Sequence, residues 1–576
     1  MCKDGRSDIH LPSAGSGACS RCSARTHVRQ REQFRPDAEP HRHLGMKSSR
    51  PRVGLMVLAL VVASCMGNAI DDPPLSLTGG DSTTQTSATV APSSAPMSTD
   101  SLATPAVEDC ERLAEVELAE VTAISAELVA SGSEAEHCRV ALTVDPAINI
   151  EVWLPTDGYN NRFQGVGGGG YAGVINFELM EEALRAGYAT ASTDTGHVGQ
   201  DLDGSFALSA DGALNMPLIE DFAFRSLIQL TEKSEVLIKE FYGESADYAY
   251  WNGCSTGGRE GLMLAQRYPE GYDGILSGAP AINWDRFVPA LLWPQIVMNE
   301  ELGAPVEPCK LAEATNAAVA ACDPLDGVSD GILDDPRECD FDPVSLVGID
   351  MPCGVFTETD AAVIQSTWDG PKSSDGEFLW YGLAPGAPLD EVAGSFPFPI
   401  GVVHHQTWVR QDASFAWQTL GYEGFVDAFR TSQELFHDVI GTDDPDLSSF
   451  RDAGGKLLMW HGWYDELIFP EGTIDYYERV LDTLGNPQQD VAEFARLFMV
   501  PGMFHCGGGP GLTEFDALGA LVEWVETDQP PEAITAARFE GGEETATRPL
   551  CRYPNVANYD GAGDPNRASS FDCTQG

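Results

Sequence analysis

Ser255 lies in Gly253-Cys254-Ser255-Thr256-Gly257, after the apolar run Tyr248 to Trp251 and before the helical pattern Leu262 to Arg267. A serine hydroxyl is a poor nucleophile until a base takes its proton, and it must stand clear of the backbone to reach a substrate. Gly-x-Ser-x-Gly between a strand and a helix meets the second need: small flanking residues permit a tight turn that lifts the hydroxyl beside a helix N-terminus. A histidine and a carboxylate should then follow in the order Ser, Asp, His. Leu457 to Asp465 reads as a buried strand running into a loop, which puts Asp465 at the strand's carboxyl end. Phe498 to Gly509 has the same layout, with His505 in its loop. His461 competes for the role of base, but it stands four residues before Asp465 on the same strand end and reads as structural.

Cysteines flank two of these residues, Cys254 just before the serine and Cys506 just after the histidine. With Gly253 to Arg259 and His505-Cys506-Gly507, they make residues 110 to 575 resemble the tannase and feruloyl esterase family, which includes enzymes that hydrolyse mono(2-hydroxyethyl) terephthalate. The resemblance implies an α/β-hydrolase fold with a large inserted lid. It also implies a Cys254–Cys506 disulfide, with Ser255 as nucleophile, His505 as base and then acid, and Asp465 as the carboxylate that orients it. An oxyanion needs backbone N–H donors. One is expected from Thr256 and the other from the glycine loop Gly165 to Tyr171, at Gly169 with Gly168 as the alternative. That loop has no Gly-Lys-Ser/Thr and no dinucleotide-binding spacing, so a phosphate cradle is disfavoured.

In Cys322 to Ile332, carboxylates stand at 323, 326 and 330 among glycines, a pattern suited to a hard cation but without the closing Glu of an EF-hand. The family resemblance implies a structural calcium in the lid, held by the side chains of Asp323, Asp326 and Asp330 and the carbonyls of Val328 and Ile332. Cys322 and Cys339 flank the loop and are expected to clip it. Cys551 is expected to pair with Cys573 and Cys110 with Cys138, which leaves Cys309 for Cys353. No Cys-x-x-Cys is matched by a second one at zinc-finger spacing, so a structural zinc is disfavoured. Aromatic lid residues Phe396, Phe398, Trp408, Phe415 and Trp417 are candidates to stack on a phenolic acyl group, and Arg410 to meet an acidic substituent or phenolic oxygens. An aromatic cluster is also what an ordinary core looks like.

The elements that must position these groups are legible as rhythm. Strand-like Ile148 to Leu154, Arg162 to Gly165, Tyr188 to Ser192 and Tyr248 to Trp251 alternate with helix-like Asn176 to Ala186 and Phe222 to Phe241. The rhythm returns with strands Lys456 to Trp460 and Arg496 to Val500 and helices Gly472 to Leu484 and Glu514 to Glu526. This is βαβ organisation and predicts a parallel sheet covered on both faces. The expected domains are a hydrolase core over 108–284 and 451–576 with an inserted lid over 285–450.

The N-terminus is of another kind. Met46 begins a basic segment, a short apolar run from Gly54 to Ala63 and the small-residue ending Val62-Ala63-Ser64-Cys65, a signal segment over 46–65 with a lipobox-like end. Cys65 is the expected lipidation site, anchoring an exported protein to a bacterial membrane; an ordinary secretory signal is the alternative. Residues 1–45 read as an upstream extension, and 66–107, rich in Ser, Thr and Pro, as a flexible linker. Ten of the 14 cysteines remain beyond residue 65, an even number that suits disulfides in an exported chain. The chain holds 88 acidic against 34 basic residues, a net charge of −54 that would repel a nucleic-acid backbone.

These readings point to an exported serine esterase acting on esters of hydroxycinnamic or phenolic acids. The alternatives are tannin-type or terephthalate-monoester specificity and, from another class, a non-catalytic calcium-stabilised surface binding protein.

Overall fold

The structure, a computed structural model, describes residues 107–130, 135–484 and 491–575. The upstream extension, the signal segment with Cys65 and the linker as far as residue 106 lie outside the described residues. A nine-stranded sheet organises the rest. Its strands are β1 (Val121–Val129), β2 (His137–Val144), β3 (Ile148–Pro155), β4 (Arg162–Val166), β5 (Ala189–Thr193), β6 (Tyr248–Cys254), β7 (Gly274–Gly278), β8 (Lys456–Gly462) and β9 (Ala495–Val500). The spatial order is β1-β2-β3-β5-β4-β6-β7-β8-β9. From β5 to β9 the neighbours run parallel, whereas β1, β2, β3 and β5 pair antiparallel. The wholly parallel sheet expected from the sequence is therefore corrected to a mixed one. The reason is local: only Asp145-Pro146-Ala147 separates β2 from β3, too short for the crossover that a parallel pair needs.

Each residue of β5, β7 and β9 is buried, as strands covered on both faces must be. The covering helices are α1 (Phe177–Arg185), α2 (Ser226–Tyr242), α3 (Thr256–Arg267), α4 (Pro470–Thr483) and α5 (Ala517–Thr527). Asn176 caps α1 by accepting from the Leu179 N–H, and Asp516 caps α5 by accepting from that of Gly519. Gly243, at φ +83°, ends α2 in the left-handed region that suits glycine. This is the α/β-hydrolase arrangement: a mixed sheet whose parallel strands end, at their carboxyl edge, in the loops that carry Ser255, Asp465 and His505.

Between β7 and β8 the chain leaves the sheet and builds a mainly helical insertion, including Trp284–Ala290, Trp293–Glu301, Pro308–Cys322, Glu358–Asp369 and Tyr422–Ile440. Aromatic packing knits it to the body. Trp408 and Trp284 of the insertion lie 5.8 and 5.5 Å from Tyr171 of the glycine loop, and Phe222 lies 5.4 Å from Trp284. Burying each such side chain contributes about 1.5–3 kcal/mol. After α5 come two antiparallel hairpins, β10 (Ala533–Glu540) with β11 (Glu543–Cys551) and β12 (Asn555–Tyr559) with β13 (Phe571–Gln575). Disulfides join Cys110 to Cys138, Cys254 to Cys506, Cys309 to Cys353, Cys322 to Cys339 and Cys551 to Cys573. Among the described residues no helix is long and apolar enough to cross a membrane.

Candidate active site

Strand β6 runs into Ser255, which holds φ +62° and ψ −124°, strained for a residue with a Cβ, and α3 begins at the next residue. Three hydrogen bonds fix the turn. The Ser255 N–H donates to the Gly278 carbonyl at 3.0 Å, and the Ser255 carbonyl accepts from the N–H groups of Arg259 and Ala281 at 3.0 Å each. Gly253 is required by proximity, since a Cβ there would stand 2.4 Å from the carbonyl carbon of Gly257. The elbow is thus a close meeting of β6 with the first turn of α3, and its hydroxyl faces a cavity.

Asp465 and His505 come from the loops after β8 and β9. Those strands pair in register up to Gly462 and Val500, and hydrogen bonds from Trp463 N to Val500 O and from Tyr464 N to Met503 O carry the pairing into the loops. His505 Nδ1 lies 2.8 Å from Asp465 Oδ2, while Asp465 Oδ1 accepts from the N–H groups of Leu467 and Ile468 at 2.9 and 2.8 Å. The same Oδ2 lies 3.1 Å from His461 Nε2, which is also 3.2 Å from the Ile468 carbonyl. Two acceptors at one nitrogen require Nε2–H, and His461 Nδ1 lies 2.8 Å from the Thr473 hydroxyl. His461 is therefore a donor to the orienting carboxylate. Burial raises the Asp465 carboxyl's pKa, but His505 and His461 outweigh it and hold the group well below the usual carboxylate range. For His505 burial acts to lower the pKa, and the charges of Asp465 and Glu466 reverse this and leave it raised. Glu466 also accepts from the His505 N–H at 3.1 Å.

Ser255 and His505 line one cavity of about 610 Å³. No hydrogen bond joins Ser255 Oγ to His505 Nε2, which lies 3.7 Å from Cys506 Sγ. Such looseness is common before substrate binds. The Cys254–Cys506 bridge, with Cα atoms 5.9 Å apart, ties the elbow directly to the histidine loop, where Cys506 takes φ +59°.

The glycine loop borders the same cavity. The Gly168 N–H donates to Glu260 Oε2 at 2.9 Å and is committed, whereas the N–H groups of Gly169 and Thr256 make no hydrogen bond among the described residues. Of the two glycines, Gly169 has the donor free to meet an oxyanion. The Gly168 carbonyl accepts from the Gly257 N–H at 2.9 Å and the Gly170 carbonyl from the Thr256 hydroxyl at 2.6 Å, so loop and elbow are braced together.

Trp284, Phe287, Leu291, Phe398 and Ile400 from the insertion and Ile468 from the core give the cavity apolar walls, and its carboxylates are Glu178 and Asp201. Neither Lys nor Arg lines it among the described residues. The expectation that Trp408, Phe415 and Arg410 contact substrate is corrected. Trp408 is fully buried, donating from Nε1 to the Gly204 carbonyl at 3.2 Å, and is core. Arg410 lies 5.5 Å from the Phe415 ring centroid and donates to the Gly424 carbonyl, and neither residue reaches the cavity. Of the other aromatic candidates, Phe398 lines the cavity, while Phe396 is exposed and Trp417 half-buried away from it.

In the Cys322–Cys339 loop, Asp323 Oδ1 accepts from the N–H groups of Asp330, Gly331 and Ile332, and Asp326 Oδ1 from that of Val328. Asp330 Oδ2 pairs with Arg548 at 2.8 Å, and Arg548 also reaches Asp334 at 3.3 Å. Among the described residues no three His, Cys, Asp or Glu side chains converge as a cage. The donor types are those a hard cation takes, carboxylate oxygens and main-chain carbonyls, with Asp330 and Asp334 facing one arginine. Burial pushes Asp326 up to about 6 and, against the pull of Arg548, Asp334 up to about 7. The oxygens of Asp323 and Asp326 are turned on the loop's own backbone.

Sequence reasoning missed His461 as a second partner of Asp465, and Glu466 and Glu260. The i, i+4 spacing of His461 and Asp465 on one strand end was the available signal; nothing in sequence marks Glu260, which is 1% exposed on α3.

The model of the family described as tannase and feruloyl esterase matches residues 133–404 and 395–574. A probable feruloyl esterase of Arthroderma benhamiae is 39% identical over 462 residues, covering 76% of this chain and 86% of that protein. A mono(2-hydroxyethyl) terephthalate hydrolase of Piscinibacter sakaiensis is 31% identical over 524 residues, covering 76% and 85%. The crystal structure of feruloyl esterase B from Aspergillus oryzae superimposes with a TM-score of 0.71 at 26% identity, over 81% of this chain and 100% of that one. The chain belongs to the tannase and feruloyl esterase family of ester hydrolases.

Proposed function

We propose that this protein is a serine carboxylic ester hydrolase acting on uncharged esters of hydroxycinnamic or related phenolic acids. The observation that carries the reading is the 2.8 Å contact between a buried Asp465 and Nδ1 of His505, which shares a cavity wall with an elbow serine. Asp465 holds the Nδ1–H tautomer, which leaves Nε2 as the base. Ser255 Oγ attacks the ester carbonyl carbon as His505 Nε2 takes its proton, and the N–H groups of Thr256 and Gly169 receive the charge that develops on oxygen. When the intermediate collapses, the imidazolium protonates the departing alkoxide and the acyl group stays on Ser255. Water, deprotonated by the same Nε2, then attacks the acyl-enzyme, and the imidazolium returns that proton to Ser255 Oγ as the acyl–oxygen bond breaks and the acid leaves.

Two features of the cavity favour the substrate class. Apolar walls with Phe398, Trp284 and Phe287 suit an aromatic acyl group. Glu178 and Asp201, with no lysine or arginine lining the cavity among the described residues, disfavour a terephthalate monoester, whose free carboxylate would need a cationic partner. The relative names support the feruloyl type.

Calcium bound by Asp323, Asp326 and Asp330, with the carbonyls of Val328 and Ile332, would neutralise the acidic loop and brace the insertion. Five disulfides support an exported protein, with Cys65 as the lipid anchor site. The test is hydrolysis of methyl ferulate with and without a serine-directed phosphonate. Complete, stoichiometric inactivation is expected; turnover that survives the phosphonate would overturn the serine reading, and inertness toward aromatic esters would favour a binding protein.

A further inference from the structure

The glycine loop raises a physical problem. Four consecutive glycines, Gly167 to Gly170, are the least restrained backbone a chain can offer, yet an oxyanion donor must be fixed before charge develops. We infer that Glu260 solves it, as a positioning residue whose buried carboxylate locks the loop so that the Gly169 N–H faces the reacting carbonyl. This rests on the serine-hydrolase reading above.

Glu260 lies on α3, five residues after Ser255, and is 1% exposed. Its Oε2 accepts from the Gly168 N–H at 2.9 Å. The fit is tight: a Cβ on Gly167 would stand 3.0 Å from that oxygen and 2.4 Å from the Gly257 Cα. The peptide that carries the Gly169 N–H is held from its other end, where the Gly168 carbonyl accepts from the Gly257 N–H. Carboxylate and helix thus grip adjacent peptides of one loop and prevent either from flipping. Arg259, fully buried, completes the support. It donates to the Ala223 and Phe222 carbonyls at 2.8 and 3.2 Å and stands 3.8 Å from Glu260 Oε1, which has no hydrogen-bond partner of its own. A buried carboxylate with one oxygen on a loop peptide and the other facing a guanidinium is costly to maintain for fold alone.

The experiment compares Glu260→Gln, Glu260→Ala and Glu260→Asp with wild type and Ser255→Ala, reading kcat and KM on methyl ferulate, inhibition by an aryl trifluoromethyl ketone, and thermal unfolding. Gln keeps an acceptor oxygen and should retain kcat within about tenfold. Ala loses the acceptor and Asp withdraws it by one methylene; each should lose about 10²-fold or more in kcat with little change in KM, the scale of a lost oxyanion donor. Ketone affinity should fall in parallel. If Ala does not fold, Asp decides, because a role of charge alone predicts full activity there. Folded Asp or Ala variants with wild-type kcat and ketone affinity would overturn the inference while an inactive Ser255→Ala left the serine reading standing. Turnover by Ser255→Ala would sink that reading itself.

Discussion

Replacing both Cys254 and Cys506 by serine should damage activity beyond what the lost stability explains. The bridge closes a loop of 252 residues, for which chain entropy gives about 5.5 kcal/mol of stabilisation. The Cys309–Cys353 bridge inside it removes 44 residues from the effective loop, which lowers the figure by only ~0.2 kcal/mol. Unfolding a body of roughly 470 residues releases about 1 kcal/mol/K, so Tm should fall by about 5 °C. The positional effect is separate. Ser255 at φ +62° and Cys506 at φ +59° are strained residues on either side of the base, each costing about 1–3 kcal/mol. Without the bridge both loops can relax, and a displacement near 1 Å between nucleophile and base costs about 10²-fold in rate. The assay is kcat/KM on methyl ferulate well below the transition, beside a thermal unfolding scan. A folded double variant with wild-type kcat/KM would refute the claim that the bridge sets catalytic geometry, whatever its Tm.

Asp465→Asn should fold and lose about 10⁴-fold in kcat, because an amide can donate to His505 and favour the wrong tautomer; steady-state kinetics decide, and a loss below tenfold would remove Asp465 from the mechanism. Since Asp465 and Glu466 raise the His505 pKa, and only neutral imidazole accepts the serine proton, the acid limb of kcat/KM should lie above the ordinary histidine value. Glu466→Gln removes one raising charge and should move that limb to lower pH; a pH–rate profile with an unmoved or higher limb contradicts this. Chelation should lower Tm while initial rates in the cold persist, and calcium should restore Tm with the logarithm of its concentration, Asp326→Ala abolishing the response. A calorimetric scan indifferent to both treatments would remove calcium from the account.

How far the sequence could be read depended on whether a feature had a local cause. The elbow at Ser255 needs small neighbours within two residues, and the buried runs of β8 and β9 need apolar residues in succession, so both are visible as patterns. Strands β1 and β2 carry no continuous apolar run, since β1 is half-buried to exposed along its length and β2 alternates buried with half-buried residues, so neither is marked in the sequence. The lid residues failed for a different reason. Whether an aromatic side chain packs in a core or lines a cavity is decided by partners distant in the chain: Trp408 meets Gly204 and Tyr171, while Phe398, ten residues earlier, reaches the cavity. Glu260 was hidden likewise, since its partner is a peptide N–H 92 positions away.

The central claim is a covalent intermediate on Ser255, and rapid-quench mass spectrometry of enzyme mixed with an activated feruloyl ester tests it most directly. A feruloyl adduct should form in the first turnover, map to the peptide bearing Ser255, and build up further when His505 is replaced by alanine and excess activated ester drives acylation. Multiple turnovers by wild-type enzyme with no adduct at Ser255 at any quench time, or with the acyl group on another residue, would contradict the account.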